Sequence, residues 1–157
     1  MVTVTARARV NQDDPTAVVL TADQVWRGLA MRARARDPRF VPPGHRFRII
    51  TDEGDHLVRH VLLDDGHEEL ERITFHGGRI VVVDLIEGRQ RSLMINTIET
   101  DDYRRLVLNF THVTEFIGME HGSPEERALA AHRLPTTMQL PAATLETIRE
   151  LVAEGRL

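Results

Sequence analysis

The chain has 157 residues, 41% of them hydrophobic and 28% charged, with a net charge of -4. This mix suits a globular chain rather than a disordered or membrane-embedded one, and at this length one core buries roughly 70% of the unfolded chain's surface. The acidic balance argues against a nucleic-acid protein, which would show a basic face or stripe.

Missing residue types narrow the chemistry further. Cysteine is absent, which removes disulfides, thiolate nucleophiles and Cys-bound zinc. Lysine is absent too, since all 20 basic residues are arginine. That removes Schiff-base chemistry and a Walker-type phosphate loop. Serine occurs only at Ser92 and Ser123, and Ser123 stands where a helix cap is expected, so a Ser-His-Asp hydrolase is not supported. No stretch reaches the roughly 18 apolar residues of a membrane span. The first ten residues carry charges where a signal peptide has its apolar run, and the expected location is cytoplasmic.

In chain order, Val2, Val4, Ala6, Ala8 and Val10 alternate with Thr3, Thr5, Arg7 and Arg9, the pattern of a half-buried strand. After a polar connection over 11–17, Thr21 and Gln24 form a capping box ahead of Val25, Trp26, Leu29 and Ala33 at helical spacing. This helix must end before Pro38, and Pro42-Pro43-Gly44 is a stiff turn. From His45 to Phe116 six antiparallel strands are expected in a meander. Asp52–Gly54 and Asp64–Gly66 suit three-residue hairpins, Gly77–Gly78 a two-residue hairpin and Gly88–Arg89 a type II′ turn. Thr100–Tyr103 suits a four-residue connection. Ser123 and Glu126, with Pro124 between them, read as a second capping box. It opens a helix with a broken apolar stripe at Leu134, Met138, Leu145, Ile148 and Val152, which Pro135 and Pro141 are expected to kink or interrupt.

The order strand, helix, six-strand meander, long helix predicts an α+β helix-grip fold: a curved seven-stranded antiparallel sheet wrapped around the long C-terminal helix. That helix is the only element large enough to cover the concave face. With no repeat and no linker, a single domain over residues 1–157 is expected.

Here the sequence resembles the START/Bet v 1-like (SRPBCC) superfamily, and within it the AtaL-like group. The resemblance rests on Leu20-Thr-Ala-Asp-Gln-Val-Trp-Arg-Gly-Leu29, on Ala35-Arg-Asp-Pro-Arg-Phe-Val41, and on Leu57-Val-Arg-His-Val61 followed by Glu71-Arg-Ile-Thr-Phe75. It implies a deep cavity between sheet and last helix that holds an apolar or aromatic small molecule. Some superfamily members are polyketide cyclases or aromatases, and many are carriers only.

Turn lengths set strand registers, and registers decide which side chains stand together. A three-residue loop at Asp64–Gly66 pairs Arg59 with Glu71 and Leu57 with Ile73. A two-residue turn at Gly77–Gly78 pairs Phe75 with Ile80, Ile73 with Val82 and Glu71 with Asp84. Leu93 and Ile95 then turn inward, with Arg91 at the end of the row. On the last strand Leu106, Leu108, Phe110, His112, Thr114 and Phe116 share the inward face. The result is an apolar cavity with a polar belt of Arg59, Glu71, Asp84, Arg91 and His112. Two readings stay open. In one, Arg59 merely bridges and satisfies Glu71 and Asp84, because buried charges must be paired. In the other, the belt orients a polar ligand group and His112 is the acid or base.

The expected ligand-contacting residues are Arg59, Glu71, Asp84, Arg91, Phe75, Phe110 and Met138, with His112 as the catalytic candidate. No metal is expected: His56 and His60 share a face but lie about 13 Å apart along a strand. Trp26 reads as core. No cofactor is implied. The expected partner is a hydrophobic or aromatic small molecule, with a homodimer left open and neither nucleic acid nor a membrane span. The preferred reading is a protein that encloses an apolar or aromatic small molecule, such as a polyketide-like intermediate of secondary metabolism; if it is an enzyme, it is a cofactor-free cyclase or dehydratase using acid/base chemistry. The alternatives are a non-catalytic carrier of a lipid-like ligand and a regulatory partner protein.

Overall fold

A computed structural model describes residues 1–157. Seven strands, β1 (Val2–Arg9), β2 (Arg46–Asp52), β3 (His56–Leu62), β4 (Glu68–His76), β5 (Ile80–Glu87), β6 (Gln90–Thr100) and β7 (Leu106–Phe116), form one antiparallel sheet. Its order is β1-β7-β6-β5-β4-β3-β2, so the meander β2–β7 is extended by the N-terminal strand. Helix α1 (Ala22–Ala33) and a 3-10 turn (Pro38–Phe40) lie between β1 and β2, and helix α2 (Pro124–Ala153) ends the chain. The helix-grip expectation holds: α2 packs on β1 and β7, with α1 beside it.

Local sequence explains the helix starts. Thr21 Oγ1 accepts the Gln24 N–H at 3.2 Å, and Gln24 Oε1 accepts the Thr21 N–H at 2.9 Å, so this capping box is complete. At α2 only half of the second box forms. Ser123 Oγ accepts the Glu126 N–H at 3.1 Å, while the Glu126 carboxylate takes the Gly122 N–H at 2.7 Å. The expected break at the prolines does not occur, since α2 runs through Pro135 and Pro141 as one element. Each proline leaves one carbonyl four residues back without its helical donor. Pro135 lies on an exposed stretch where water can take that role, and Pro141 is buried as part of the packed face.

The registers agree with expectation at β3–β4, where Arg59 faces Glu71 and Leu57 faces Ile73. They differ by one residue at β4–β5: Phe75 faces Val81, Ile73 faces Val83 and Arg72 faces Asp84. The turn uses three residues, because Gly77 and Gly78 both adopt left-handed conformations (φ +54° and +69°) and the Arg79 N–H closes on the His76 carbonyl at 3.0 Å. Since side chains alternate, a one-residue slip turns a whole strand over. Val81, Val83 and Leu85 therefore face inward and are buried. The β5–β6 pairs Leu85↔Ser92, Val83↔Met94 and Val81↔Asn96 carry the inversion across, so Ser92, Met94 and Asn96 face inward in place of Leu93 and Ile95.

The core fills one end of the concave face. Leu145, Ile148 and Leu151 of α2 meet Leu29 of α1 and Phe110 of β7, all at 1% exposure or less. At Gly28 the helices approach so closely that a Cβ there would lie 2.4 Å from Ile148 Cγ1.

Candidate functional site

The register places inward-facing side chains in transverse rows. One runs Leu57, Ile73, Val83, Met94, His112, Val4. On one side of it lie Phe75, Val81, Asn96, Phe110 and Ala6; on the other lie Arg59, Glu71, Leu85, Ser92 and Thr114. The first two rows are mainly apolar. Polar groups gather in the third and beyond it, under the N-terminal half of α2.

His112 sits at the edge of that polar zone, half-buried, with Nε2 2.6 Å from Ser92 Oγ. Burial pushes its pKa below the ordinary histidine value, and the Arg133 guanidinium pushes the same way; Glu71 opposes them. The imidazole is therefore uncharged at neutral pH. A hydroxyl can donate to its bare nitrogen or accept from its protonated one, so the Ser92–His112 pair supports proton movement in either direction.

One hollow adjoins this pair, and a second lies next to the first. An inner one of about 130 Å³ is lined by Glu69, Glu71, Ser92, Met94 and His112 among others. An outer one of about 350 Å³ lies between the hairpin tips and α2, lined by Leu63, Arg89, Phe116, Ile117 and Arg133 among others. Glu69 and Gln90 line both. Ligand pockets typically start near 300 Å³, so the inner hollow alone is too small and the outer one clears the bound. The interior is thus divided, where one deep cavity was expected, because Phe110, Leu145 and Ile148 fill the far end. A wider groove of about 640 Å³ near the β6–β7 turn is lined mainly by charged side chains. Among them Arg105 is already paired with Asp101 at 2.8 Å, so the groove suits no apolar ligand.

Arg59 is fully engaged as a pin. Its Nε donates to Glu71 Oε2 at 2.6 Å, its Nη1 donates to the Ala33 carbonyl at the end of α1 at 2.8 Å, and its guanidinium lies 4.2 Å from the Phe47 ring centroid. A cation at a helix C-terminus is favoured by the helix dipole. Glu71 lines the inner hollow, but Arg59 already holds it. This matches the reading in which Arg59 satisfies a carboxylate, with Glu71 as its only acidic partner.

Three candidates leave the site. Asp84 faces outward opposite Arg72, because the three-residue turn inverts β5. Arg91 follows it out through the β5–β6 pairing; its side chain is 78% exposed, 3.4 Å from Glu115. Met138 is 48% exposed, since α2 turns Thr137, Pro141 and Thr144 toward the sheet. Two aromatic candidates stay inside but apart from the hollows. Phe75 packs edge-on against Trp26 at 5.9 Å, and Phe110 is wholly buried. His56 and His60 are engaged separately, by Asp55 at 2.7 Å and Glu68 at 3.1 Å.

Sequence reasoning missed Ser92, Asn96, Arg32 and Arg133. The missed signal was Asp84 itself: an inward face without a charge requires Val81, Val83 and Leu85 inside, which brings Ser92 and Asn96 in with them. Arg133 comes from α2, where it donates to Gln90 Oε1 and lies 5.2 Å from the Phe116 centroid. Arg32 is one turn beyond Gly28 on the core-facing side of α1.

The curved sheet gripping a C-terminal helix, with polar groups gathered under that helix, is the Bet v 1-like (SRPBCC) architecture. The chain belongs to the family described as "AtaL: Acetylaranotin biosynthesis cluster protein L", whose profile matches residues 4–155. In structure it is similar to the Zhui aromatase/cyclase from a Streptomyces species, with 20% identity, a TM-score of 0.66 and coverage of 96% of this chain and 94% of that one. Norcoclaurine synthase from Thalictrum flavum, solved with dopamine and hydroxybenzaldehyde, superposes with a TM-score of 0.62 at 20% identity, covering 98% of this chain and 88% of that one. The di-domain ARO/CYC BexL matches with a TM-score of 0.62 at 11% identity over 95% of this chain and 49% of that one. No curated protein matches the chain significantly in sequence. No helix is long and apolar enough to cross a membrane.

Proposed function

We propose that the chain binds an apolar or aromatic small molecule beneath the N-terminal half of α2 and acts on it as a cofactor-free polyketide cyclase or aromatase of secondary metabolism. It would do so in the cytoplasm, as a single helix-grip domain over residues 1–157. The observation that carries this reading is the Ser92–His112 pair: an uncharged imidazole on the wall of the inner hollow, hydrogen-bonded at 2.6 Å. Family membership and the aromatase/cyclase neighbours support it.

The chemistry needs only a base that becomes an acid. His112 takes a proton from a carbon flanked by two carbonyls. The carbanion attacks a ketone carbon of the same chain, forming the ring bond, and the resulting alkoxide takes the proton back from the imidazolium. Dehydration repeats the cycle: His112 removes the next α-proton, and the hydroxyl leaves as water with that proton. Arg133 beside the outer hollow favours the enolate oxygen electrostatically. Arg59 positions Glu71 and the end of α1 and takes no part in proton transfer.

One observation favours a second reading, a non-catalytic carrier. The inner hollow, at about 130 Å³, accepts no fused-ring product unless side chains move. The test is to incubate the protein with a synthetic poly-β-ketone and follow aromatic absorbance and ligand-bound mass in native mass spectrometry. The enzyme reading expects conversion that His112→Ala abolishes while the bound mass survives. Binding without conversion by the parent protein establishes the carrier, and absence of any bound mass overturns both.

A further inference from the structure

The passage between the two hollows holds a carboxylate that the fold leaves free. Glu69 stands on the inward face of β4, opposite the buried Val61 of β3. The acidic residues next to it on the strand are engaged: Arg59 holds Glu71 at 2.6 Å, and His60 lies 3.1 Å from Glu68. Glu69 has no such partner. It is part-buried and lines both hollows. Burial and the Glu71 carboxylate raise its pKa above the ordinary value, and the charges of Arg133, Arg89 and His45 oppose them without reaching ion-pair contact.

Two further observations concern the same passage. A Cβ at Gly88, in the β5–β6 turn, would lie 3.3 Å from Glu69 Cγ and 3.1 Å from Leu85 Cδ2, so the bare turn leaves room for the Glu69 side chain. Gln90, just past that turn, also lines both hollows. Its Oε1 accepts from Arg133, which identifies the acceptor end of the amide and leaves its two N–H donors uncommitted. A free acceptor and a free donor thus border one space. His112 lines the inner hollow and not the outer one.

We propose that this passage is a hydroxyl subsite, in which Glu69 accepts a hydrogen bond from an alcohol or phenol group of the ligand and the Gln90 amide donates to the same oxygen. A hydroxyl is donor and acceptor at once, so one group satisfies both side chains. The apolar skeleton then occupies the outer hollow, against Leu63, Phe116 and Ile117. This rests on the small-molecule reading above and deepens it: the ligand is a hydroxylated molecule and not a free acid, because a carboxylate here would meet Glu69 and Glu71. Bonds to an ionised acceptor are roughly twice as strong as neutral ones, so Glu69 fixes which end of the ligand faces His112.

The test compares 2-naphthol with 2-methoxynaphthalene, which has no donor, by fluorescence titration of the parent protein, Glu69→Leu and Glu69→Gln at pH 7. The parent should prefer 2-naphthol by about tenfold, the worth of one hydrogen bond to a charged group. Glu69→Leu should lose the preference and keep its affinity for 2-methoxynaphthalene. Glu69→Gln keeps an acceptor without the charge and should retain a preference of about threefold. Equal binding of the two probes by the parent overturns the hydroxyl subsite and leaves the small-molecule reading intact. If neither probe binds the parent, that reading falls and the subsite with it. If Glu69→Leu does not fold, Glu69→Gln decides: an undiminished tenfold preference overturns the proposal, and a reduced one upholds it.

Discussion

The two halves of α2 do different work on the same sheet. Past Pro141 the helix is a core element: Leu145, Ile148 and Leu151 are at 1% exposure or less, and Gly28 of α1 is pressed against Ile148. Before Pro141 the helix turns polar and small groups to the sheet, with Thr137 buried and Arg133 bonded to Gln90, while Leu134 and Met138 face outward. One half closes the fold and the other roofs the hollows. Apolar packing in one half offsets the polar, incompletely filled end in the other.

The largest effect should come from placing the same charge in each half. Ile148→Asp buries a carboxylate without a partner and should cost about 4 kcal/mol or more. Met138→Asp should stay within about 0.5 kcal/mol, as surface substitutions do. Urea denaturation of the two variants checks this; equal midpoints would show that α2 does not divide in this way.

Next in size is Gly28→Ala. Its Cβ would meet Ile148 at 2.4 Å, and overpacking of that kind costs about 1–3 kcal/mol. Combining it with Ile148→Val should lose less stability than the sum of the single changes, because the two sites touch. Additive losses in thermal melts would mean that α1 and α2 adjust independently.

A smaller, pH-dependent effect tests what anchors the C-terminal half. Asp37 bonds Arg39 at 2.9 Å and also pairs with Arg156, while Arg39 reaches Glu154 at 2.8 Å. The Arg39 hydrogen bonds hold the Asp37 carboxyl well below the usual carboxylate range, against the opposing effect of burial, and Arg156 adds to the lowering. A carboxylate with a depressed folded pKa contributes fully above its unfolded pKa of about 3.9 and loses that contribution as pH falls toward the folded value. Asp37→Asn should therefore be less stable than the parent at pH 6, with the gap closing toward pH 2. A gap that persists in acid would assign the loss to packing.

The smallest effect belongs to the roofed half. His112 has a lowered pKa through burial and Arg133. The unfolded chain then binds the extra proton first, so stability is full above pH ~6.5 and falls as pH drops below it. His112→Asn should flatten the stability profile below about pH 6.5. In NMR the His112 ring should titrate below the ordinary histidine value of about 6.5; a higher midpoint would place a carboxylate beside it.

Much of the architecture is legible in the chain because its signals are local. Alternation marks β1, Thr21 with Gln24 starts α1, and the three-residue turn at Asp64–Gly66 fixes Arg59 opposite Glu71. The candidate site is less legible. Both faces of strand β5 are mostly apolar, so Asp84 is the one interior position of the strand that marks the outward face, and the turn at Gly77 and Gly78 sets the register that puts it there. That one residue exchanges Asp84 and Arg91 for Ser92 and Asn96.

By itself, the sequence determined the order of elements, the helix caps, the inward face of β7 with His112 on it, and the absence of cysteine and lysine chemistry. Each follows from residue type or from spacing within one element. The tertiary structure alone decided that α2 passes unbroken through two prolines, and that Arg59 is spent on Glu71 and the end of α1. Those outcomes depend on contacts between residues far apart in the chain, where burial and charge act through space and no short pattern records them.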